Sequence, residues 1–425
     1  MKIKIPKLRW IIAGLLLLAT VLNYADRLTL SVVIPHIRHQ LFISDEDYSQ
    51  IVGVFLFAYA IMYAVSGYVV DRMGTRRGFA LFISTWSIAE ILHAFAKGKW
   101  SLASCRFLLG LAEPGNFPAA TKAIGEWFPA NQRAFGVGLF NAGASLGAAV
   151  APPLAAFLTL HYGWRSAFVF TGALGLIWLI FWLILYQPPH SNPWLSQKEY
   201  GEIKDHVQPK EETLPAGGDR LNWRRVLKAR QCYTLIIARF FTDPVIYFII
   251  FWLPSYLHEA RHMNLAMIGK YAWVPFVFGD VGYLVGGWLS GRLMRAGWKL
   301  SRARKFVMVI GACLLPSAIL APLASTAGLA IAATSVVIFG HALWISNLLT
   351  LPTDLFRGPE VGTASGFSGM GGAIGGILAT LGTGYVVTKF SYTPIFVMAG
   401  LMHPMSVFLI YRLLPDRYFE QAKAA

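Results

Sequence analysis

Polar residues interrupt this chain only briefly. Twelve long apolar runs, at 10–37, 49–70, 78–96, 100–123, 134–160, 165–186, 233–257, 267–291, 305–325, 327–351, 361–388 and 393–414, alternate with short turns rich in glycine and charge. A helix needs roughly 20 residues to cross about 30 Å of hydrocarbon, and most of the runs have that length. They are continuous, whereas a barrel strand would alternate over about ten residues. The pattern predicts an all-α membrane protein of twelve transmembrane helices. The one long polar segment, 187–232, opens Gln187-Pro188-Pro189 and is rich in lysine, glutamate, proline and glycine. It divides the chain into an N-terminal six-helix bundle (1–186), a cytoplasmic linker loop (187–232) and a C-terminal six-helix bundle (233–425).

The two halves read alike. Phe168-Val-Phe-Thr-Gly172 opens the sixth run and Phe396-Val-Met-Ala-Gly400 the twelfth, 228 positions apart. Gly67-Tyr-Val-Val-Asp71-Arg72 closes the second and Gly287-Trp-Leu-Ser-Gly291-Arg292 the eighth, 220 apart. A nearly constant offset in register with the runs argues for duplication. An even number of helices per copy gives both copies the same orientation, the parallel repeat of transporters that rock about a midplane site.

Composition agrees with a membrane protein: 56% of residues are hydrophobic, 14% aromatic and only 14% charged, a balance foreign to soluble domains of this length. With both ends placed inside, the inner segments hold 26 lysines and arginines and the outer segments six: Arg38, Lys97, Lys99, Arg165, Arg261 and Lys389. That asymmetry puts both termini and the central loop in the cytoplasm. The net charge of +16 then belongs to the face that meets anionic lipid, and nucleic-acid binding is not expected. The first run is too long for a signal core, contains Asp26-Arg27 and lacks a small-residue cleavage site, so it reads as the first spanning helix. Cys105, Cys232 and Cys313 lie far apart in or beside apolar runs; they read as small core residues, and no disulfide or metal framework follows.

The chemistry sits where charge should be absent. Asp26 and Arg27 lie inside the first run, and Arg106 and Glu113 inside the fourth. A charge at mid-membrane costs at least about 2.5–3.5 kcal/mol, so charges kept there by default line an ion or substrate path. Arg106 and Glu113 are seven residues apart, which returns to the same helix face about 10 Å further along, with Gly110 between them. An arginine fork matches a carboxylate, so Arg27 is the natural holder of an organic acid. A buried carboxylate is disfavoured by desolvation and favoured by a nearby arginine, so a change of access can load and unload a proton. The structural alternative is interhelical salt bridging by the same four residues. Arg239 and Asp243, one turn apart, read as a local pair. Glu90 and His93, near the outer end of the third run, read as solvated, and Asp280 carries no assignment.

The loop after the second run, Gly67-x-x-x-Asp71-Arg72-x-Gly74-x-Arg76-Arg77, resembles the signature of the major facilitator superfamily. The resemblance implies that superfamily's fold, with Gly67 allowing close helix approach, Asp71 charging one side of a cytoplasmic gate, and Arg72, Arg76 and Arg77 locking against a neighbouring helix. The second copy has Gly291 in place of the aspartate, so a weaker gate is expected there. Further motifs, Asn23-Tyr-Ala-Asp26-Arg27, Arg106-x6-Glu113-x-x-x-Phe117-Pro118, Glu126-Trp-Phe-Pro129, Ala151-Pro-Pro-Leu154 and Arg239-Phe-Phe-x-Asp243-Pro, look like the anion:cation symporter branch and its bacterial hexuronate and aldonate carriers. That resemblance implies proton-coupled uptake of an organic anion. It implies Arg27 as carboxylate holder, Asp26 and Glu113 as proton carriers, Arg106 as the partner of Glu113, and Tyr59 as a substrate contact. Asn141, His341 and Asn347 fall in helices that line the cavity in this superfamily, and an interhelical hydrogen bond is the alternative for each. Ala144 stands where the galactonate carriers have a polar substrate contact, and around Asn141 and Thr363–Met370 the sequence looks closer to the hexuronate carriers.

Gly143-x-x-x-Gly147 and Gly371-Gly-Ala-Ile-Gly-Gly376 read as close helix packing and hinges. Gly138-x8-Gly147-x3-Ala151-Pro152 is near a motif of drug/proton antiporters, the alternative transport class, although buried arginines suit anionic cargo. No Gly-x-x-x-x-Gly-Lys-[Ser/Thr] loop and no His-Glu-x-x-His site occurs, so neither direct use of ATP nor a metal-dependent or other enzyme is expected. The expected partners are a small organic anion, protons and the bilayer, with no cofactor, no metal and no nucleic acid. A monomer in the bacterial inner membrane is expected.

Overall fold

The computed structural model describes residues 4–43, 45–203, 223–263, 267 and 270–424. Lys2 and the middle of the linker, 204–222 with Lys204, Lys210 and Arg220, lie outside the described residues. Every apolar run is helical among those that are described. Before the linker the helices are α1 (Leu8–Leu41), α2 (Asp45–Met73), α3 (Thr75–His93), α4 (Lys99–Ala112), α5 (Asn116–Trp127), α6 (Ala130–Tyr162) and α7 (Trp164–Leu185). The linker holds two short helices, α8 (Gln197–Ile203) and α9 (Trp223–Lys228). After it come α10 (Arg230–Glu259), α11 (Val274–Arg295), α12 (Leu300–Leu314), α13 (Leu320–Leu323), α14 (Ala327–Leu348), α15 (Leu351–Leu355), α16 (Val361–Lys389), α17 (Thr393–Leu413) and α18 (Arg417–Ala424). The fourth predicted run is therefore two helices, α4 and α5, joined by one 3₁₀ turn at Glu113–Gly115. Pro114 forces that break, because it lacks the N–H that a continuous helix would use.

Helices are the only way such runs can satisfy their backbone in hydrocarbon. Nine of them are long and apolar enough to cross a membrane among the described residues, which makes this an integral membrane protein. The three predicted spans that fall short, α3, the broken α4–α5 and α11, carry charges: Arg76, Arg77 and Glu90; Arg106, Glu113 and Lys122; Asp280, Arg292 and Arg295. Two of these three hold much of the candidate chemistry. The turns are tight: Gly74 between α2 and α3 has φ 78° and Gly163 between α6 and α7 has φ 84°, a region that side chains with a Cβ rarely adopt.

Close contacts divide the chain into two units. The first comprises Met1–Pro129, Leu139–Trp223 and Arg357–Gly366, and the second Ala130–Gly138, Arg224–Phe356 and Phe367–Ala425. In the first unit α2 packs on α4, α3 on α4 and α7, and α1 on α7. Small residues make these approaches possible. A Cβ at Gly143 would stand 2.6 Å from the carbonyl oxygen of Leu17, and one at Gly147 would stand 2.5 Å from that of Val21, so α6 lies backbone against backbone on α1. Gly110 of α4 meets the Phe55 carbonyl of α2 in the same way. In the second unit α11 packs on α14 and α10 on α17, around Phe248, Tyr256, Leu315, Ile338 and Phe396. There the 371–376 glycine cluster faces α10, with a Cβ at Gly371 falling 2.5 Å from the carbonyl of Ile236.

The start of the chain is tied to the linker. The Leu8 and Arg9 amides donate to the two Glu199 carboxylate oxygens at 3.0 and 3.2 Å, and Ile5 pairs with Leu195 in an isolated bridge. Glu199 so caps the first turn of α1, where four amides have no partner within the helix.

Gly147→Leu should lower thermal stability in detergent by about 1–3 kcal/mol through overpacking against α1. Gly53→Leu, at a position with no atom within 4 Å of a new Cβ, should change it by less than about 0.5 kcal/mol. Size-exclusion recovery after a heating series reads both, and equal midpoints would contradict the packing assignment.

Candidate functional site

Five of the residues singled out from sequence meet in the first unit. Arg27 of α1 donates from Nε to Glu113 Oε2 at 2.8 Å, its Nη2 lies 2.8 Å from the same oxygen, and Nη2 also reaches Asn23 Oδ1 at 3.3 Å. Glu113 is fully buried, whereas the Arg27 side chain keeps 23% exposure. Aromatic rings hold the guanidinium: its carbon lies 4.8 Å from the Tyr24 ring centre, 4.7 Å from Tyr59 and 5.7 Å from Phe55. A cation over an aromatic face is attracted by the ring quadrupole, by about 2 kcal/mol or more when desolvated. Tyr59 continues an aromatic stack through Tyr63 to Phe117.

The direct partner of Glu113 is therefore Arg27, not Arg106 as the family resemblance implied. Pro114 interrupts the run just after Glu113, whose amide still donates to the Leu109 carbonyl, and the Glu113 carboxylate reaches across to α1. Arg106 instead donates from Nη1 to the Arg27 carbonyl at 3.2 Å and stands 5.8 Å from the Phe55 ring centre. It remains near enough to act on Glu113 electrostatically. Asp26 is fully buried, and neither of its carboxylate oxygens has a hydrogen-bond partner.

Glu90 and His93 overturn the solvated reading. Both are fully buried, because α3 packs against α4 and α7. His93 Nδ1 lies 2.7 Å from the Ala89 carbonyl and the ring stacks on Phe168 with centres 5.1 Å apart. Thr171 of α7 donates toward Glu90 Oε1 at 3.4 Å and to the Ala167 carbonyl at 3.1 Å. It also interacts with Asp26, though not at hydrogen-bond geometry for either oxygen. Asn141, on α6 of this unit, is buried too.

The signature loop after α2 builds a second polar cluster in the same unit. Asp71 accepts from Lys122 Nζ at 2.8 Å, from the Gly362 and Thr363 amides at 3.0 and 2.5 Å, and from the Thr363 hydroxyl at 2.7 Å. One carboxylate thus caps the first turn of α16 and neutralises a buried lysine. Gly67 lies against the Gly362 carbonyl. Arg76 donates to the Leu183 carbonyl at 2.5 Å, while Arg72 and Arg77 are exposed. Lys122 was not anticipated from the sequence. Its signal was there, a lysine inside an apolar run four residues before Glu126, which in turn accepts from Thr75 at 2.6 Å and from Tyr186.

The second unit has its own buried polar groups. Arg239 grips Asp243 Oδ2 from Nε and Nη2 at 2.9 and 2.6 Å, the local pair expected. His341 Nδ1 lies 3.0 Å from Nε2 of His403. Asn347 donates to the Gly286 and Leu343 carbonyls at 3.2 and 3.1 Å. His341 and Asn347 thus make interhelical contacts of their own in this unit. In the second copy of the signature, Gly287 and Gly291 lie against the backbone of Phe135 and Asn131, so an aspartate at 291 would have no room. The acid comes instead from Asp354 on α15, which accepts from Arg304 Nε at 2.9 Å and Arg133 Nη1 at 3.4 Å; Arg304 also donates to Ser290 Oγ and the Ala130 carbonyl.

Residues 16–380 match the Major Facilitator Superfamily. The chain is 33% identical over 416 residues to the hexuronate transporter of Escherichia coli K12, covering 97% of this chain and 96% of that one. It is 35% identical over 316 residues to the galacturonate transporter of Dickeya chrysanthemi, covering 73% and 90%. Among solved structures, a proton:xylose symporter bound to 6-bromo-6-deoxy-D-glucose superposes with a TM-score of 0.73 at 13% identity, over 97% of this chain and 98% of that chain. At that identity the likeness is one of fold.

Asp354→Asn should destabilise the protein by about 3–5 kcal/mol, since it removes the carboxylate with which the fully buried Arg304 is paired. Asp416→Asn is the control. Lys305, hydrogen-bonded to Asp416 at 3.0 Å, holds that carboxyl below the usual range, but its side chain is 55% exposed, and loss of such a pair costs at most about 1 kcal/mol. Thermal unfolding of both variants checks the contrast, which fails if the two shifts are alike.

Proposed function

Because the chain belongs to the Major Facilitator Superfamily and is a transporter rather than an enzyme, we propose that it takes up a sugar acid, a hexuronate or aldonate, together with protons by alternating access. The observation that carries this reading is the Arg27–Glu113 pair. A guanidinium presents a planar fork that binds a carboxylate through two parallel hydrogen bonds. Glu113 now occupies the Nε and Nη2 donors of Arg27. Protonation of Glu113 would remove its charge and weaken that grip, freeing the fork for the carboxylate of a substrate. Tyr24 and Tyr59 would keep the guanidinium in place during the exchange, and Tyr59 would offer its hydroxyl to the sugar. Loss of the proton on the other side of the membrane would return Glu113 to Arg27 and expel the substrate.

In this reading Asp26 is a second proton carrier, Arg106 tunes both acids, and Asn141, His341 and Asn347 are candidates for contact with the sugar hydroxyls. The two six-helix halves, 1–186 and 233–425, would rock against the linker's constraint, with the Asp71 cluster closing one side. The cation asymmetry supports an inner-membrane protein with both termini in the cytoplasm, acting as a monomer. A drug/proton antiporter is a poorer fit, since arginines at the site repel cationic cargo.

Proteoliposomes with an inward proton gradient should accumulate glucuronate, galacturonate or galactonate, and a protonophore should abolish the accumulation. In Glu113→Gln, counterflow should persist while gradient-driven uptake is lost, because the neutral amide mimics the protonated acid but releases no proton. Intact driven uptake with lost counterflow would instead assign Glu113 to packing. Arg27→Lys should weaken substrate binding at least about tenfold, the loss of one charge-assisted hydrogen bond. An affinity within about threefold of the original would move the carboxylate site elsewhere.

A further inference from the structure

Behind the Arg27–Glu113 pair lies a set of buried groups, two of which, Glu90 and His93, have no role in the transport scheme above. Glu90 and His93 of α3, Asp26 of α1 and Arg106 of α4 are all nearly or fully inaccessible to solvent. Their polar atoms are poorly served. Both oxygens of Asp26, Oε2 of Glu90, Nε2 of His93, and Nε and Nη2 of Arg106 have no hydrogen-bond partner. A buried polar group without a partner costs free energy, and a buried charge without one costs more.

The balance of charge narrows what the cluster holds. Three carboxyl groups, Asp26, Glu90 and Glu113, act on one another and on two guanidiniums, Arg27 and Arg106. Arg27 is matched by Glu113 at 2.8 Å. Arg106 is left to balance two carboxylates, and one negative charge is in excess. Among the described residues, the neighbouring groups do not offset it. From α4, besides Arg106, only the Cys105 thiol faces Glu90; α7 offers the Thr171 hydroxyl. Tyr48 of α2 acts on Arg106 and hydrogen-bonds Ser31 at 3.4 Å. Lys122 of α5 is committed to Asp71 near the other end of α3. His93 is the remaining candidate for a positive charge. Its Nδ1 faces a carbonyl, which can only accept, so Nδ1 carries the hydrogen; a second hydrogen at Nε2 would be buried with no acceptor. Its Nδ1 is also 3.8 Å from Glu90 Oε2, beyond hydrogen-bond reach.

We propose that Asp26 and Glu90 share one proton over Arg106, so that Glu90 is a proton-binding residue of this transporter in its own right. One of the two carboxyls is then a neutral acid and the other the counter-ion of Arg106, and the cluster is electrically balanced. Two carboxyls that cannot both ionise hold a proton jointly. The Thr171 hydroxyl lies 3.4 Å from Glu90 Oε1 and also acts on Asp26. His93 keeps a free ring nitrogen, Nε2, and stacks on Phe168. The proposal rests on the proton-coupled reading above only for the use to which the proton is put.

An infrared titration of purified, substrate-free protein in detergent tests it, reading the protonated-carboxyl band against pH. The wild type should show a buried carboxyl protonated through neutral pH. In Glu90→Gln two acids face two guanidiniums, so that band should vanish at neutral pH, its midpoint displaced downward by at least about one unit; Asp26→Asn should do the same and Glu90→Asp should not. Should Glu90→Gln fail to fold, Asp26→Asn against wild type makes the same comparison. A midpoint in the amide variant within about 0.3 unit of wild type would overturn the shared proton. So would a wild type without the band, which would put the balancing charge on His93. No sugar acid is present in this measurement. A failed uptake assay beside a band lost in Glu90→Gln would therefore sink the substrate reading and leave the dyad standing.

Discussion

A charge inside hydrocarbon must find its counter-charge within the protein, and much of this structure can be read as answers to that constraint. Arg27 reaches Glu113 across from α1 to the turn after α4; Lys122 reaches Asp71; Arg304 and Arg133 share Asp354; Arg239 folds back on Asp243. Each pair joins groups that cost several kcal/mol singly and far less together. The pairs differ in one respect that separates function from support. Arg27 retains solvent exposure and is wrapped by aromatic faces, whereas Arg304 is fully enclosed and also bonded to Ser290 and the Ala130 carbonyl. A group that must let go of its partner is held by the former kind of contact, and a group that must not is held by the latter.

Of the two acidic clusters outside the Arg27 site, one uses a helix end as well as side chains. Asp71 takes two amides from the first turn of α16 in addition to Lys122. This couples a backbone dipole to a carboxylate, an interaction that is lost at once if α16 moves away. Asp354 has no such amides and relies on two guanidiniums instead. Sequence comparison of the two signature copies pointed to a weakened second cluster because Gly291 replaces the acid. The structure moves the acid to another helix and uses the glycine for close approach to Asn131.

The sequence made the helices legible because a bilayer enforces long apolar runs, and it made Asp26, Arg27, Arg106 and Glu113 legible because charge inside such a run is rare. What it did not disclose was pairing. Residue spacing compares positions on one helix, whereas the direct partner of Glu113 comes from another, α1. Glu90 and His93 were misjudged for a related reason: position along a run measures depth, whereas burial depends on which neighbours cover that face, and α7 covers this one. Tyr24 stands three residues before Arg27 and Asn23 four, a spacing that puts both beside the guanidinium on α1, and it was readable. Asp354 and Arg304 were not, since each sits at the end of a run, where charge needs no explanation.

The Glu199 cap on α1 has a consequence for how the chain is made. The amides of Leu8 and Arg9 end on a carboxylate about 190 residues further along the chain. During synthesis those residues emerge long before their partner, which follows only after α7 is complete. Helix α1 is therefore capped by an element made after α7, so its start lacks that carboxylate while α2 to α7 are being made. Closure of that contact marks the moment at which the N-terminal half is whole.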